Sequence, residues 1–235
     1  MYKSIFISDL HLGYTSTNSK KLFSFLQRVE AEKIFLVGDI INISSFSEHP
    51  DIVQFITMLH SKPWKIIYIS GNHEDNRKKH PLVSLSFEKD LFPKDKHIYY
   101  NGYNNIYIDH GHSFHNKNMF HILLKKYTIY FRTRFKKEHK NRIEIKTITK
   151  HIKKDNIYHQ ILKPIAQKLL KNSFRSYMLS LAKQNRCDIV ICGHFHIPED
   201  RTFRDIRYIN CGDWIKHNSF VVEDMSGKLS LKTLK

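Results

Sequence analysis

Five short polar motifs, each placed where an apolar, β-rich run ends, constrain this chain more than any other feature of its sequence. They are Asp9-Leu10-His11, Gly38-Asp39, Gly71-Asn72-His73-Glu74, His110-Gly111-His112 and Gly193-His194-Phe195-His196. In open α/β sheets, sites collect outside the carboxyl ends of the strands, so residues distant in sequence converge there. One pocket can therefore hold all five motifs. Their residue types set the chemistry: carboxylate, imidazole and amide oxygen suit Mn, Fe, Zn or Mg, and the lack of thiolate argues against a closed structural zinc site. Two cations about 3.5–4 Å apart activate a bridging water and stabilise both the attacking and the leaving oxygen of an in-line displacement at phosphorus. A bridging carboxylate is needed to hold them so close. The expected reaction is hydrolysis of a phosphate ester or pyrophosphate.

Between the motifs, strand-like runs alternate with helix-period segments, the signature of βαβ units and an α/β layered fold. Lys3–Ser8, Lys33–Val37 and Lys65–Ser70 read as buried strands. Lys21–Val29 sets Leu22, Phe25, Leu26 and Val29 on one helical face, and Asp51–His60 does the same with Ile52, Phe55, Ile56 and Leu59. Asn105–Asp109 and Asp188–Cys192 read as further strands, followed by Arg207–Asn210, Ser219–Glu223 and Lys228–Thr233. The last two are joined as a hairpin through Asp224-Met225-Ser226-Gly227. Cys187, Cys192 and Cys211 form no Cys-x-x-Cys pair, which suits a reducing cytosol, and read as small buried apolar residues. No apolar run approaches the roughly 20 residues that cross a bilayer, and the first residues, through Asp9, read as a structural strand rather than a secretory leader.

The net charge of +17 is concentrated in one region. Residues 113 to 186 hold 19 Lys and Arg against 3 Asp and Glu, a net +16, whereas the remainder holds 20 against 19. Such a block points to an anionic partner. Phe120, Leu123, Leu124, Tyr127 and Phe131 recur there at helical spacing, as do Ile165, Leu169, Tyr177, Met178 and Leu181. This predicts a single domain over 1–235 with a basic helical insertion or lid at about 113–186, in which Thr133–Asn156 is the least regular stretch. The wall formed by Phe120, Leu124, Tyr127 and Phe131, with Lys125 and Arg132 beside it, suits an acyl chain and an anionic bilayer. The same composition also reads as a solvated basic face, or as a surface where aromatic residues stack the bases of a nucleic acid.

The motifs resemble those of the calcineurin-like metallophosphoesterase superfamily, whose pattern is Asp-x-His, Gly-Asp, Gly-Asn-His-Asp/Glu, His and Gly-His-x-His. The resemblance implies a β-sandwich flanked by helices and two divalent metal ions, most commonly Mn2+, with Zn2+, Fe2+ or Mg2+ as alternatives. One metal would be held by Asp9, His11, Asp39 and His196, and the second by Asp39, Asn72, His110 and His194. Asp39 would be the bridge. His73 would bind the phosphoryl oxygen or assist the leaving group, so that His73, Asn72 and Asp39 are the expected catalytic residues.

A narrower likeness lies downstream. Tyr208-Ile209-Asn210-Cys211-Gly212-Asp213-Trp214, after Gly193-His194-Phe195-His196-Ile197-Pro198 and before Val221-Val222-Glu223-Asp224, is similar to the UDP-2,3-diacylglucosamine hydrolases of lipid A synthesis. That resemblance implies release of UMP and 2,3-diacylglucosamine 1-phosphate from a glycolipid substrate, at the cytoplasmic face of a membrane and without a stable nucleic-acid partner. Substrate contacts are expected from Asn72, His73 and the insertion residues named above. The chain departs from the pattern at three positions. His73 stands where the best-known branch has Arg, His112 where the family usually has Asp, and Asn42 where an acidic residue commonly follows the Gly-Asp motif. The alternative expectation is a metal-dependent phosphodiesterase or nuclease.

Overall fold

The computed structural model describes residues 1–13, 18–42, 49–74, 94–114 and 163–234, with side chains left out for 163–166. Two five-stranded mixed sheets with flanking helices form the architecture, an α/β sandwich. The chain divides into two compact units, Met1–His112 with Met178–Lys235, and Ser113–Tyr177.

The first unit begins with β1 (Tyr2–Ile7), α1 (Ser19–Arg28), β2 (Ala31–Val37), α2 (Pro50–Ser61) and β3 (Lys65–Ile69). These are two consecutive βαβ units, so β1, β2 and β3 pair in parallel, with Phe6 opposite Phe35 and Phe35 opposite Ile67. After β4 (Lys96–Tyr100) and β5 (Asn105–Asp109), the long helix α3 (Lys163–Gln184) leads to β6 (Ile189–Cys192), β7 (Glu199–Phe203) and β8 (Ile206–Asn210). The chain then returns to the first sheet as β9 (Ser219–Glu223) and β10 (Leu229–Thr233). The strand orders are β10-β9-β1-β2-β3 and β4-β5-β6-β8-β7.

Strand alternation explains both cores. In β1, Ile5 and Ile7 face the helices while Phe6 faces the second sheet; in β2, Ile34 and Leu36 pair off against Phe35 and Val37 in the same way. The helix side gathers Leu22, Phe25 and Leu26 of α1 with Ile52, Phe55, Ile56 and Leu59 of α2, the two faces expected from the sequence. Between the sheets, Phe6, Phe35, Ile69, Ile108, Ile191 and Ile209 make a dry layer, in which Phe6 and Phe35 stack with ring centroids 4.4 Å apart. The turn after β9 is fixed by Asp224, whose Oδ1 accepts bonds from the Ser226 and Lys228 amides. Cys187, Cys192 and Cys211 are buried and unpaired.

Two strands are absent from the sequence reading, β4 and β7, and both are outer strands of the second sheet. Glu199–Phe203 carries no apolar alternation because most of it faces solvent. The predicted stripe on α3 is also displaced: Phe174, Met178 and Ala182 are fully buried, whereas Leu169 is 48% exposed. Within the second unit, Phe114 meets Phe174 edge-on at 5.5 Å and the Ser113 hydroxyl lies 2.9 Å from that of Tyr177. The segment Thr133–Asn156, His115 and the expected contacts Phe120, Leu124, Lys125, Tyr127, Phe131 and Arg132 lie outside the described residues. Among the described residues, no helix is long and apolar enough to cross a membrane.

Truncating a fully buried aromatic in the inter-sheet layer removes its transfer energy and leaves a cavity. Phe6→Ala is expected to lower unfolding stability by about 3–5 kcal/mol, read from the midpoint of a urea transition.

Candidate metal centre

The candidate ligands follow the ends of β1, β2, β3, β5 and β6, at Ile7, Val37, Ile69, Asp109 and Cys192. Beyond β1 and β2 the two backbones remain paired. The Asp9 amide donates to the Gly38 carbonyl (3.1 Å), that of His11 to Asp39 (2.9 Å), and that of Leu12 to Ile40 (2.9 Å). Between these bonds the chain bends sharply. Asp9, His11 and Asp39 take left-handed backbone with φ of +53, +48 and +51°, and after β6 His194 (+71°) and His196 (+58°) do the same. A residue with a Cβ occupies that region at a cost of about 1–2 kcal/mol, and strain of this kind collects where side chains must be aimed. Here it presents five motif side chains at one end of the strands.

A buried carboxylate holds those loops together. Glu74 Oε2 accepts the amides of Gly71 (2.6 Å) and Asp39 (2.9 Å), and Oε1 those of Ile40 (2.5 Å) and Ile41 (3.1 Å). Burial and the charge of Asp39 raise the Glu74 pKa, opposed by the amides it binds and by His110. The loop after β3 is thereby tied to the loop after β2. Close approach then demands glycine at two places: a Cβ on Gly71 would enter the Asp39 carboxylate, and one on Gly193 would enter the Ser8 hydroxyl and Asp9 Oδ2.

Two carboxylates organise the imidazoles. Asp39 Oδ1 accepts the His73 amide (2.9 Å), while its Oδ2 lies 3.3 Å from His110 Nε2, 3.9 Å from His73 Nε2 and 4.0 Å from His11 Nε2. Asp9 Oδ2 accepts the Ser8 hydroxyl (2.5 Å) and the His194 amide (2.9 Å). Its Oδ1 lies 3.3 Å from His196 Nε2 and 3.7 Å from His11 Nε2. Three groups result, Asp9 with His11 and His196, His11 with Asp39 and His73, and Asp39 with His110 and His194, each with donor atoms within 4.8 Å of one another. Burial pushes the Asp39 carboxyl upward, but the charge of His110 and the His73 amide outweigh it and hold the group well below the carboxylate range. For His110, burial acts downward and the charges of Asp39 and Asp9 win, lifting it to about 10. The field at this point favours positive charge.

The family model for calcineurin-like phosphoesterases matches residues 2–198. The chain belongs to the calcineurin-like phosphoesterase family. Among solved structures, it is similar to an archaeal phosphodiesterase, with a TM-score of 0.53 and 14% identity over 98% of this chain and 99% of that one. That likeness is one of fold. Yfce, a phosphoesterase from E. coli, gives a TM-score of 0.49 at 12% identity over 99% of each chain. Vps29 from Entamoeba histolytica gives 0.49 at 11%, also over 99% of each. No curated protein matches this chain.

Calcineurin-like phosphoesterases are dimetal-dependent phosphoester hydrolases, and the residues here fit such a pair. Asp9 Oδ1 is fully buried and accepts no hydrogen bond, a placement that is costly for a carboxylate oxygen unless a cation meets it. Six of the seven expected ligands, Asp9, His11, Asp39, His110, His194 and His196, fall in the three groups, together with His73. The seventh, Asn72, opens the 3-10 turn Asn72–Glu74 beside Gly71 and is exposed.

The imidazoles are also oriented from behind. His110 Nδ1 donates to the Val37 carbonyl at 2.9 Å, which fixes the ring and aims Nε2 at Asp39. His196 Nδ1 lies 3.3 Å from Asp213 Oδ2, and Asp213 Oδ1 accepts the Lys216 (2.8 Å) and His217 (2.9 Å) amides. Burial raises Asp213, but His196 and those amides bring it below the usual carboxylate range. Sequence reasoning gave no role to Glu74, Asp213 or Ser8. The signals were present in the acidic residue closing Gly71-Asn72-His73-Glu74 and in Gly212-Asp213 just after β8. Of the departures, Asn42 is buried beside the site loops, its amide bonded to the Leu12 carbonyl, and the His112 ring lies 5.9 Å from that of His110.

Asp213→Asn keeps the amide acceptor but removes the charge behind His196. It is expected to weaken binding of a divalent metal by about 10- to 100-fold in a competitive chelator titration, with the circular dichroism spectrum unchanged.

Proposed function

We propose that this chain hydrolyses the pyrophosphate of UDP-2,3-diacylglucosamine, releasing UMP and 2,3-diacylglucosamine 1-phosphate, with two manganese ions and at the inner face of the cytoplasmic membrane. The observation that carries the reaction class is Asp39, one carboxylate oxygen of which is within 4.0 Å of imidazole nitrogens of His11, His73 and His110. A group so placed can bridge two cations. In this reading Asp9, His11, Asp39 and His196 hold one, and Asp39, Asn72, His110 and His194 the other. When bound, the pair supplies Lewis acidity to the attacking water and to the oxygens of the phosphorus that is attacked.

The side chains account for the rest. Val37 and Asp213 fix the tautomers of His110 and His196, so their Nε2 atoms face the carboxylates without reorganisation. Burial lowers the pKa of His73, opposed by Asp39. It is partly exposed beside the carboxylates, able to hydrogen-bond a phosphoryl oxygen or the oxygen of the departing sugar phosphate. In the overall step, water forms a bond to the α-phosphorus, the bond from that phosphorus to the bridging oxygen breaks, and the oxygen leaves with the lipid-bearing phosphate.

The substrate assignment rests on the Tyr208–Trp214 likeness and on the +16 stretch, whose charge suits an anionic lipid surface. By sequence spacing, Phe120, Leu124, Tyr127 and Phe131 would receive acyl chains, and Lys125 and Arg132 the charged head groups.

Full-length protein supplied with Mn2+ is expected to release UMP from UDP-2,3-diacylglucosamine faster than it cleaves an aryl phosphodiester or single-stranded DNA. Cleavage of only the latter two would overturn the substrate and keep the reaction class. Asp39→Asn is expected to lower kcat/KM by about 10²–10³-fold or more, and His73→Gln to lower kcat by about 10²-fold or more. Unchanged turnover in Asp39→Asn removes the bridge. Co-sedimentation should rise with the anionic lipid fraction of vesicles, and indifference to it counts against the membrane role.

A further inference from the structure

Along β3, from beside the start of β2, the sandwich opens into a cavity of about 270 Å³ walled by Lys33, Lys65, Lys94, His97, Tyr99 and Phe35. Strand alternation explains why the lysines gather there. Phe35, Ile67 and Ile69 point between the sheets, so Lys33 and Lys65, two residues before Phe35 and Ile67, point the same way. They are also partners in register, side by side across the parallel pair. Like charges directly opposite one another on a sheet repel. From the second sheet, His97 and Tyr99 sit opposite Ile108 and Ile106, both of which face the sandwich interior. Lys94, bridged by backbone to β3, brings a third ammonium.

Among the described residues, no carboxylate lines this cavity. The nearby Glu223 is engaged, accepting the Tyr99 hydroxyl at 3.0 Å with Lys3 Nζ at 3.6 Å. Lys33 Nζ rests 5.2 Å from the Tyr99 ring centroid and 3.5 Å from its hydroxyl, a weak contact for a half-buried ammonium. The Lys94 and Lys65 charges reach His97, where they add to burial in lowering its pKa. Among the described residues, three cations thus share a concave, partly apolar space, with Glu223 and Glu32 the carboxylates whose charge reaches Tyr99. From Lys33 to Val37 the strand covers about 13 Å, whereas the Lys94 end of the cavity lies against Ile69 and Ser70, just ahead of Gly71.

We propose that this cavity is a second binding site, for the phosphate group of a small phosphate monoester, with Lys33, Lys65 and Lys94 as the anion contacts and the Tyr99 and Phe35 side as the wall for its organic part. The site is independent of the hydrolytic reading. Its source is tested with two probes, orthophosphate and glycerol 3-phosphate, titrated calorimetrically at constant ionic strength. The full chain carries Asp39→Asn and is treated with chelator, so that binding at the metal centre does not contribute. Saturable binding is expected, tighter for the ester, and Lys65→Gln with Lys94→Gln should weaken it at least tenfold; both residues are exposed, so the fold is kept. Orthophosphate binding as tightly as the ester would overturn the organic wall. Absence of binding, equal affinity in the lysine variant, or the same heat from chloride would overturn the site. With Asp39 restored and metal supplied, the lysine variant should retain hydrolysis of an aryl phosphodiester, which separates failure here from failure of the proposed reaction.

Discussion

The carboxylate of Glu74, sealed from solvent and receiving four backbone amides, is the interaction on which the rest of the site depends. Hydrogen bonds to a charged acceptor contribute about 1.5–3 kcal/mol each, and in combination they hold strained backbone while countering part of the cost of burying the charge. Asp39 donates one of those amides and follows the left-handed turn after β2. The carboxylate of Asp39 therefore has its direction set from behind, by main chain, before any imidazole approaches. Asp9 is placed in the same manner, between the Ser8 hydroxyl and the His194 amide. Main-chain support of this kind gives a polar centre rigidity that long side chains alone do not.

Much of this was legible in the sequence where a residue pattern and a physical need coincide. The βαβ units, both helix faces and the hairpin at Asp224 follow from apolar period and turn chemistry, because buried faces impose strict alternation. The gathering of Asp and His at one end of the strands was legible because these residues have few structural reasons to recur there. The outer strands β4 and β7 were not, since an edge with one wet face needs no apolar alternation. On α3 the apolar spacing allowed two adjacent faces, and packing selected Phe174, Met178 and Ala182. Glu74 and Asp213 stood in glycine-bearing motifs after strands, but their roles were not legible, since their partners are backbone amides and a ring nitrogen that residue type does not name.

Charge is divided along the chain in a way that composition alone conceals. The stretch from 113 to 186 carries nearly the whole net positive charge. The remainder is close to neutral, yet it is locally polarised along its strands. The carboxylate-rich centre sits past the carboxyl ends of the strands, and the lysine-lined cavity runs along β3. Between them lies the dry middle of Phe6, Phe35 and isoleucine, where low-polarity packing screens charge weakly.

β1 lies in the middle of its sheet, between β2 and β9. Its first neighbour is made shortly afterwards, but Ile5 pairs with Val222, on a strand synthesised near the opposite terminus. During translation the left-handed turn carrying Asp9 and His11 therefore grows from a strand with one edge open and the inter-sheet layer incomplete. Closing a loop of that length carries a large entropic penalty, and topologies dominated by such distant pairings assemble slowly and expose sticky edges meanwhile. Pairing of β9 with β1 thus sets the earliest moment at which the hydrolytic centre can exist.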